Sequence, residues 1–338
     1  MKQADIDRIW YGAEPVPLWL RLLVPVYRML RAVVGLTWRS GLRKPTRLDV
    51  PVIVVGNITA GGTGKTPLVL ALVGALRSRG WQPGVVSRGY GGTARLPVLL
   101  GDAPNPAIAG DEPSLIRSRS GVPVAVGRDR VAAARLLAGA GVDVILADDG
   151  LQNPSLARDI EICVIDGERR LGNGRLLPAG PLRESDARLA QVDFIVSNGG
   201  QPRPGEVPMS LPGSGALSVN GAEPPRPLAQ FAGQRVHAVA GIGNPGRFFA
   251  SLRAQGIEVI EHAFDDHQAL GPADLDFGDG LPILMTEKDA VKCVSFADPN
   301  CWQVPVSAEL PDTFFDAVDQ RLRMRQPRQH GTPMAAAG

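Results

Sequence analysis

Gly56-Asn57-Ile58-Thr59-Ala60-Gly61-Gly62-Thr63-Gly64-Lys65-Thr66 decides the fold of this chain. The apolar run Val52-Ile53-Val54-Val55 leads in, and the helical pattern Pro67-Leu68-Val69-Leu70-Ala71-Leu72-Val73 leads out. Strand, glycine loop, Gly-Lys-Thr and helix, in that order, describe a P-loop. Glycines let consecutive backbone N–H groups turn toward one anion, and a helix N-terminus adds positive potential. The loop amides of Gly61, Gly62, Thr63 and Gly64 are therefore expected to cradle phosphates, with Lys65 on the outer ones and the Thr66 hydroxyl on Mg²⁺. The spacing is irregular. G-x-x-x-x-G-K-S/T needs glycine where Thr59 stands, and the form with a lysine opening the glycine run needs that lysine at Ala60.

Composition narrows the setting. The 338 residues suffice for one large or two medium domains, and 44% are hydrophobic, enough for a normal core. Three cysteines (Cys163, Cys293, Cys301) are too few and scattered for a disulfide framework or a cysteine metal site, which suits a reducing cytoplasm. No uncharged apolar stretch reaches 18 residues, so no membrane span is expected. The net charge of +2 conceals an uneven distribution: residues 1–47 hold nine Lys/Arg against three Asp/Glu, a net of +6. Trp10, Tyr11, Trp19, Tyr27 and Trp38 lie in the same segment.

Residues 15–44 read as a helix, kinked at Pro25. On a wheel of about 100° per residue, Arg21, Arg28, Arg31 and Arg39 share one side, opposite Leu23, Val26, Leu30, Val33 and Val34. That pattern fits either a helix lying in a membrane interface or an amphipathic helix packed on its own domain. Arginines interrupt the apolar stretch, so it is not read as a secretory signal.

Strands are expected at 82–87, 122–126, 144–148, 160–165, 192–197, 236–240 and 281–285, with helices at 129–140 and 314–324. Alternation of this kind implies an α/β fold with a mainly parallel sheet, its ligands at the carboxyl edge. Val144-Ile145-Leu146-Ala147-Asp148-Asp149-Gly150 ends a strand in paired carboxylates, the pattern that puts an acid beside Mg²⁺. Residues 199–228 read as an irregular connection. Gly241-Ile242-Gly243-Asn244-Pro245-Gly246, with Glu261 about twenty residues on, matches a dinucleotide fingerprint and supports a competing dehydrogenase reading. Met285-Thr286-Glu287-Lys288-Asp289 lacks the Lys-x-Asp of a guanine-reading loop, which favours ATP over GTP.

Together these stretches resemble the tetraacyldisaccharide 4'-kinases, the lipid A 4'-kinases of Gram-negative bacteria. The likeness runs through the P-loop, Ser87-Arg88-Gly89-Tyr90-Gly91, Gly110-Asp111-Glu112-Pro113 and Asp148-Asp149-Gly150-Leu151-Gln152. It continues in Gly174-Arg175-Leu176-Leu177-Pro178-Ala179-Gly180-Pro181-Leu182-Arg183-Glu184, Asp266-His267 and Thr286-Glu287-Lys288-Asp289-Ala290-Val291-Lys292. The irregular glycine spacing is that family's own form. The resemblance implies transfer of the ATP γ-phosphoryl group to the 4'-hydroxyl of a tetraacyldisaccharide 1-phosphate, giving lipid IVA, at the cytoplasmic face of the bacterial inner membrane. It implies ATP and Mg²⁺, and neither a nucleic acid nor a protein partner. An alternative is a membrane-docked P-loop ATPase switch acting on a partner.

For the site, the resemblance implies Asp111 as base assisted by His267, and Lys65 on the phosphates. It implies Asn57, Arg88 and Tyr90 on the substrate, and Thr66, Asp148, Asp149 and Glu184 around the metal. Asn153 stands where that family usually has histidine, which questions proton transfer there. The expected layout is a membrane-binding segment at 1–48, a P-loop core at 49–212, a smaller α/β domain at 213–310, a final helix at 311–325 and a disordered tail at 326–338.

Overall fold

The computed structural model describes residues 3–213 and 215–325; the expected tail at 326–338 lies outside them. Two helices, α1 (Gln3–Tyr11) and α2 (Leu18–Arg39), precede β1 (Val52–Gly56). The glycine loop joins β1 to α3 (Lys65–Ser78). There follow β2 (Pro83–Ser87), β3 (Val98–Leu99), α4 (Pro106–Ala109), α5 (Asp111–Ser120), β4 (Val124–Val126) and α6 (Arg130–Gly139). Then come β5 (Val144–Asp148), β6 (Ile160–Asp166), β7 (Phe194–Asn198) and β8 (Glu206–Met209). These strands form an eight-stranded sheet, ordered β3-β4-β2-β5-β1-β6-β7-β8 and parallel except for β3.

Every residue of β1 is buried. Ile53 and Val55 pack with Leu68, Leu72 and Leu76 of α3, while Val52 and Val54 pack with Ala133, Ala134 and Leu137 of α6. A strand covered on both faces needs apolar side chains at every position, which is why it appears in the sequence as an unbroken run.

A second, six-stranded sheet is built from β9 (Gly215–Ser218), β10 (Arg226–Pro227), β11 (Arg235–Ala240), β12 (Glu258–Ala263), β13 (Ile283–Thr286) and β14 (Cys301–Val304). Its order is β10-β9-β14-β13-β11-β12. α7 (Pro245–Ala254) follows β11, and α8 (Glu287–Cys293) follows β13. The last helix, α9 (Asp312–Arg325), returns to the first sheet, where Phe314, Val318 and Leu322 join the α3 side of the core. Trp81 Nε1 donates to Asp319 Oδ1 there at 2.7 Å.

The stretch 199–228 is more ordered than its composition implies. It contains β8, β9 and β10, each two to four residues long and two of them carrying a proline, too short to impose a period. β12 also went unforeseen: it is an edge strand with no fully buried residue, and Glu258, Glu261 and His262 break its apolar run.

α2 has three distinct sides. Leu20 is buried, Tyr27 Oη donates to the Arg183 carbonyl at 2.8 Å, and Arg31 pairs with Glu184 at 2.8 Å, so one side is seated on the core. Leu18, Leu22, Val26, Met29, Val33 and Leu36 stand exposed on another. Arg21, Arg28 and Arg39 are exposed between them. Among the described residues no helix is long and apolar enough to cross a membrane.

Candidate active site

A cavity of about 560 Å³ opens between the two sheets. The first sheet contributes the loop Gly61–Pro67, Ser87, Arg88, Tyr90, Arg130, Asp148, Asp149 and Arg183; the second contributes Gly243, Asn244, Phe248, His267 and Lys288. The glycines are required by geometry at Gly64, which has φ +93° and caps the N-terminus of α3. A Cβ there would lie 2.5 Å from Asn198 Nδ2, which donates to the Thr63 carbonyl at 3.0 Å. Asn57, expected on the substrate, is instead fully buried beneath the loop and does not line the cavity. Its Nδ2 donates to the Gly61 carbonyl at 3.3 Å, and Gln152 Nε2 donates to the Asn57 carbonyl at 2.8 Å.

The strand-end acids diverge in environment. Asp148 is buried, and its Oδ1 has no hydrogen-bond partner. Burial, with Glu112 and Asp149 adding like charge, pushes its pKa up to about 7 against the pull of Lys65 and Arg130. Burial would raise Asp149 too, but Lys65 at 3.6 Å and Arg183, which donates 3.2 Å bonds to both oxygens, hold it below its ordinary value. Asp149 also adopts φ +48°, an uncommon conformation for a non-glycine residue. No group of three or more His, Cys, Asp or Glu among the described residues could hold a metal unaided. The unpartnered Asp148 Oδ1, on a residue that lines the same cavity as Thr66 and Asp149, fits a Mg²⁺ held by a hydroxyl, one or two carboxylates and substrate phosphates. Glu184, expected beside the metal, is engaged by Arg31 (2.8 Å) and Arg188 (3.5 Å) and is not in the cavity wall.

Across the cleft, His267 Nδ1 lies 3.4 Å from Asp111 Oδ2 and makes no hydrogen bond. Asp111 opens α5 beside the cavity wall, which His267 lines. His267 has φ +65°, and Tyr90 packs on its ring with centroids 4.7 Å apart. Arg88 and Tyr90 are both exposed in the cavity wall. Asn153 folds into a local turn, accepting from Ser155 N at 3.1 Å and Ser155 Oγ at 2.7 Å, and lies outside the wall.

The structure brings in residues that sequence reasoning left unassigned. Arg130 is buried, donates Nη2 to the Asp148 carbonyl at 3.0 Å, and keeps an unpartnered Nη1. Burial lowers its pKa, with the two aspartates opposing. Arg183 and Glu112 also line the cavity. Arg130 carries no sequence signal, being one of two arginines in a short helix with no motif around it; Arg183 and Glu112 each adjoin a candidate site residue, Glu184 and Asp111.

The second glycine turn faces the first. Gly243 rests on the P-loop so closely that a Cβ on it would lie 2.1 Å from Gly62 N. Arg169 Nη1 donates to the Gly243 carbonyl at 3.1 Å, and Gly241 N donates to Asp289 Oδ2 at 2.8 Å. Glu261, the candidate ribose acid, pairs instead with Arg253 at 2.6 Å. The turn is packed against P-loop backbone and the candidate ribose acid is engaged elsewhere, which speaks against the dehydrogenase reading.

Residues 16–323 match the family model described as tetraacyldisaccharide-1-P 4'-kinase. A tetraacyldisaccharide 4'-kinase of Stenotrophomonas maltophilia is 54% identical over 328 residues, covering 94% of this chain and 96% of that one. One from Xanthomonas euvesicatoria is 52% identical over 335 residues, covering 95% and 96%. A crystal structure of LpxK from Aquifex aeolicus in complex with ATP superposes with a TM-score of 0.72 at 26% identity, covering 89% of this chain and 97% of that one.

Proposed function

The chain belongs to the family of tetraacyldisaccharide 4'-kinases, and from that premise we propose how its residues carry the reaction. It transfers the γ-phosphoryl group of ATP to the 4'-hydroxyl of a tetraacyldisaccharide 1-phosphate, forming lipid IVA in lipid A biosynthesis. The family match does not favour a switch that hydrolyses ATP without an acceptor.

Such a transfer needs positioning, charge neutralisation and an oriented nucleophile. The amides of Gly61 to Gly64 and the Lys65 ammonium hold the triphosphate, and Arg130 offers a free N–H donor to the same charge. Thr66, Asp148 and Asp149 would hold Mg²⁺, which would supply positive charge to the triphosphate. Asp111 accepts the acceptor's hydroxyl proton, oriented by His267, while Arg88 and Tyr90 bind the acceptor's polar groups. The 3.4 Å separation of His267 and Asp111 is short enough for a hydrogen bond to tighten on substrate binding.

One observation carries this reading: a P-loop and a strand-end acid pair share one cavity with a histidine that a second domain holds beside a helix-start aspartate. The test is transfer of labelled phosphate from ATP to a tetraacylated disaccharide 1-phosphate in mixed micelles. A folded wild-type protein that labels no lipid overturns it. Asp111→Asn is expected to lower kcat by about 10²–10⁴-fold with ATP affinity kept. Lost ATP binding with surviving turnover removes Asp111 as base.

The exposed apolar side of α2, edged by Arg21, Arg28 and Arg39, supports docking on the cytoplasmic face of the bacterial inner membrane. Each arginine near an anionic surface adds about 1 kcal/mol. Replacing Leu22, Met29 and Val33 together with serine should abolish co-flotation with anionic vesicles while leaving ATP binding unchanged. Undiminished flotation would assign the membrane contact to another surface.

A further inference from the structure

The stretch Thr286–Lys292, singled out in the sequence, has no part in the chemistry derived so far. In the fold it becomes α8, whose two lysines leave the second domain and reach the acidic start of α5. Lys288 Nζ lies 3.1 Å from Glu112 Oε1, 2.8 Å from Asp266 Oδ1 and 3.2 Å from His267 Nε2. Lys292 Nζ lies 3.6 Å from Asp111 Oδ2 and 2.9 Å from Asp289 Oδ1. Both side chains are largely buried, at 13% and 8% exposure.

An ammonium has only protons to offer. The Nε2 that faces Lys288 therefore accepts, so the hydrogen-bond network assigns the neutral His267 proton to Nδ1, the nitrogen aimed at Asp111. Burial pulls the Lys288 pKa down, but Glu112 and Asp266 outweigh it and hold the group above its ordinary range, so it stays a cation. Asp111 Oδ2 thus has the His267 N–H at 3.4 Å and the Lys292 ammonium at 3.6 Å.

We propose that Lys288 and Lys292 are positioning residues for the transfer: Lys288 fixes the tautomer of His267 with its N–H toward Asp111, and Lys292 fixes the Asp111 carboxylate. Neither need touch substrate. The proposal rests on Asp111 and His267 acting as the base pair.

The test uses the full-length chain labelled with [15N]histidine and loaded with a non-hydrolysable ATP analogue. His267→Gln identifies the signal among the four histidines. Wild type should show His267 protonated at Nδ1. Lys288→Met should give mixed tautomers and lower kcat about 10–100-fold, with the Kd of the ATP analogue within threefold. Lys288→Arg should restore the tautomer and part of the turnover. Lys292→Met should show the same kinetic split with the His267 tautomer unchanged. Lys288→Gln and Lys292→Gln stand in if either methionine variant fails to fold. An unchanged tautomer in Lys288→Met, or in either variant a kcat within threefold of wild type or an equal loss of ATP affinity, overturns the proposal. Asp111→Asn separates the two failures. If it retains turnover, the base reading falls; if it loses turnover and the lysine variants do not, only the positioning roles fall.

Discussion

Two glycine-rich turns, at 56–66 and 241–246, look alike in the sequence and do opposite things in the fold. Each follows a buried strand and opens a helix, β1 into α3 and β11 into α7. The first keeps its amides, Lys65 and Thr66 facing an open cavity. The second is filled: Gly243 lies on Gly62, its carbonyl accepts from Arg169, and Gly241 N donates to Asp289. A glycine pattern after a strand records that something approaches the backbone closely. Whether the visitor is a phosphate or another loop is decided by the tertiary partner. Here each turn makes the other's environment, and the lid on the nucleotide loop is the motif that resembles a nucleotide site.

The most severe break of this contrast is Lys65→Met, which removes the cation from the open turn. Turnover should fall by about 10²–10³-fold, as when one fixed charge-stabilising donor is lost, with the fold intact by circular dichroism. Lys65 also pairs with Asp149 at 3.6 Å, so the acid pair is disturbed as well. Turnover within threefold of wild type would mean that the open turn does not hold the transferring phosphate.

Gly243→Ala probes the filled turn and should come next in size. The added Cβ cannot coexist with Gly62 N at 2.1 Å, and both atoms belong to loops with little room to move. The loops of the second sheet must back away, carrying His267 from Asp111, and kcat/KM should drop about 10–100-fold. Gly246→Ala is the matched control, since its nearest neighbour would be Asn244 Oδ1 at 3.8 Å. It should stay within twofold. In a dinucleotide site the third glycine also matters for close packing of helix on strand, so a loss at Gly246 equal to that at Gly243 would revive that reading.

The fully buried parts of the first sheet were legible in the sequence. Val52–Val55 and Val144–Leu146 are apolar at every position because both faces are covered, and no other pattern competes. Lys65, Thr66 and the Asp148-Asp149 pair follow from the local order of strand, loop and helix. Three kinds of feature were not legible. β8, β9 and β10 are too short to carry a period. Arg130 is buried beside Asp148, a pairing set by the packing of the start of α6 against the end of β5 rather than by sequence spacing. Asn57 and Glu184 carried family-like residue identities but gave no hint of where their side chains point. One braces the loop from below, and the other anchors α2 through Arg31.

The smallest expected effect concerns the acid that serves each turn. Asp289, in the filled half, is saturated by Gly241 N, Thr286 Oγ1 and Lys292 Nζ. Asp148, in the open half, is buried with an unpartnered oxygen. Asp289→Asn leaves buried partners unsatisfied and should cost about 1–3 kcal/mol of stability. Asp148→Asn should do the reverse in the ligand-free protein. The folded Asp148 pKa of about 7 lies above the ordinary 3.8, so between those values folding takes up a proton. Its contribution to stability is complete below the ordinary value and is lost as pH rises through about 7. Asparagine removes that loss, so Tm should exceed wild type by about 2–6 °C at pH 8, by less at pH 5, and by nothing near pH 3. A variant less stable than wild type at pH 8 would mean that Lys65 and Arg130 already compensate the buried charge, and the open turn would then be as satisfied as the filled one.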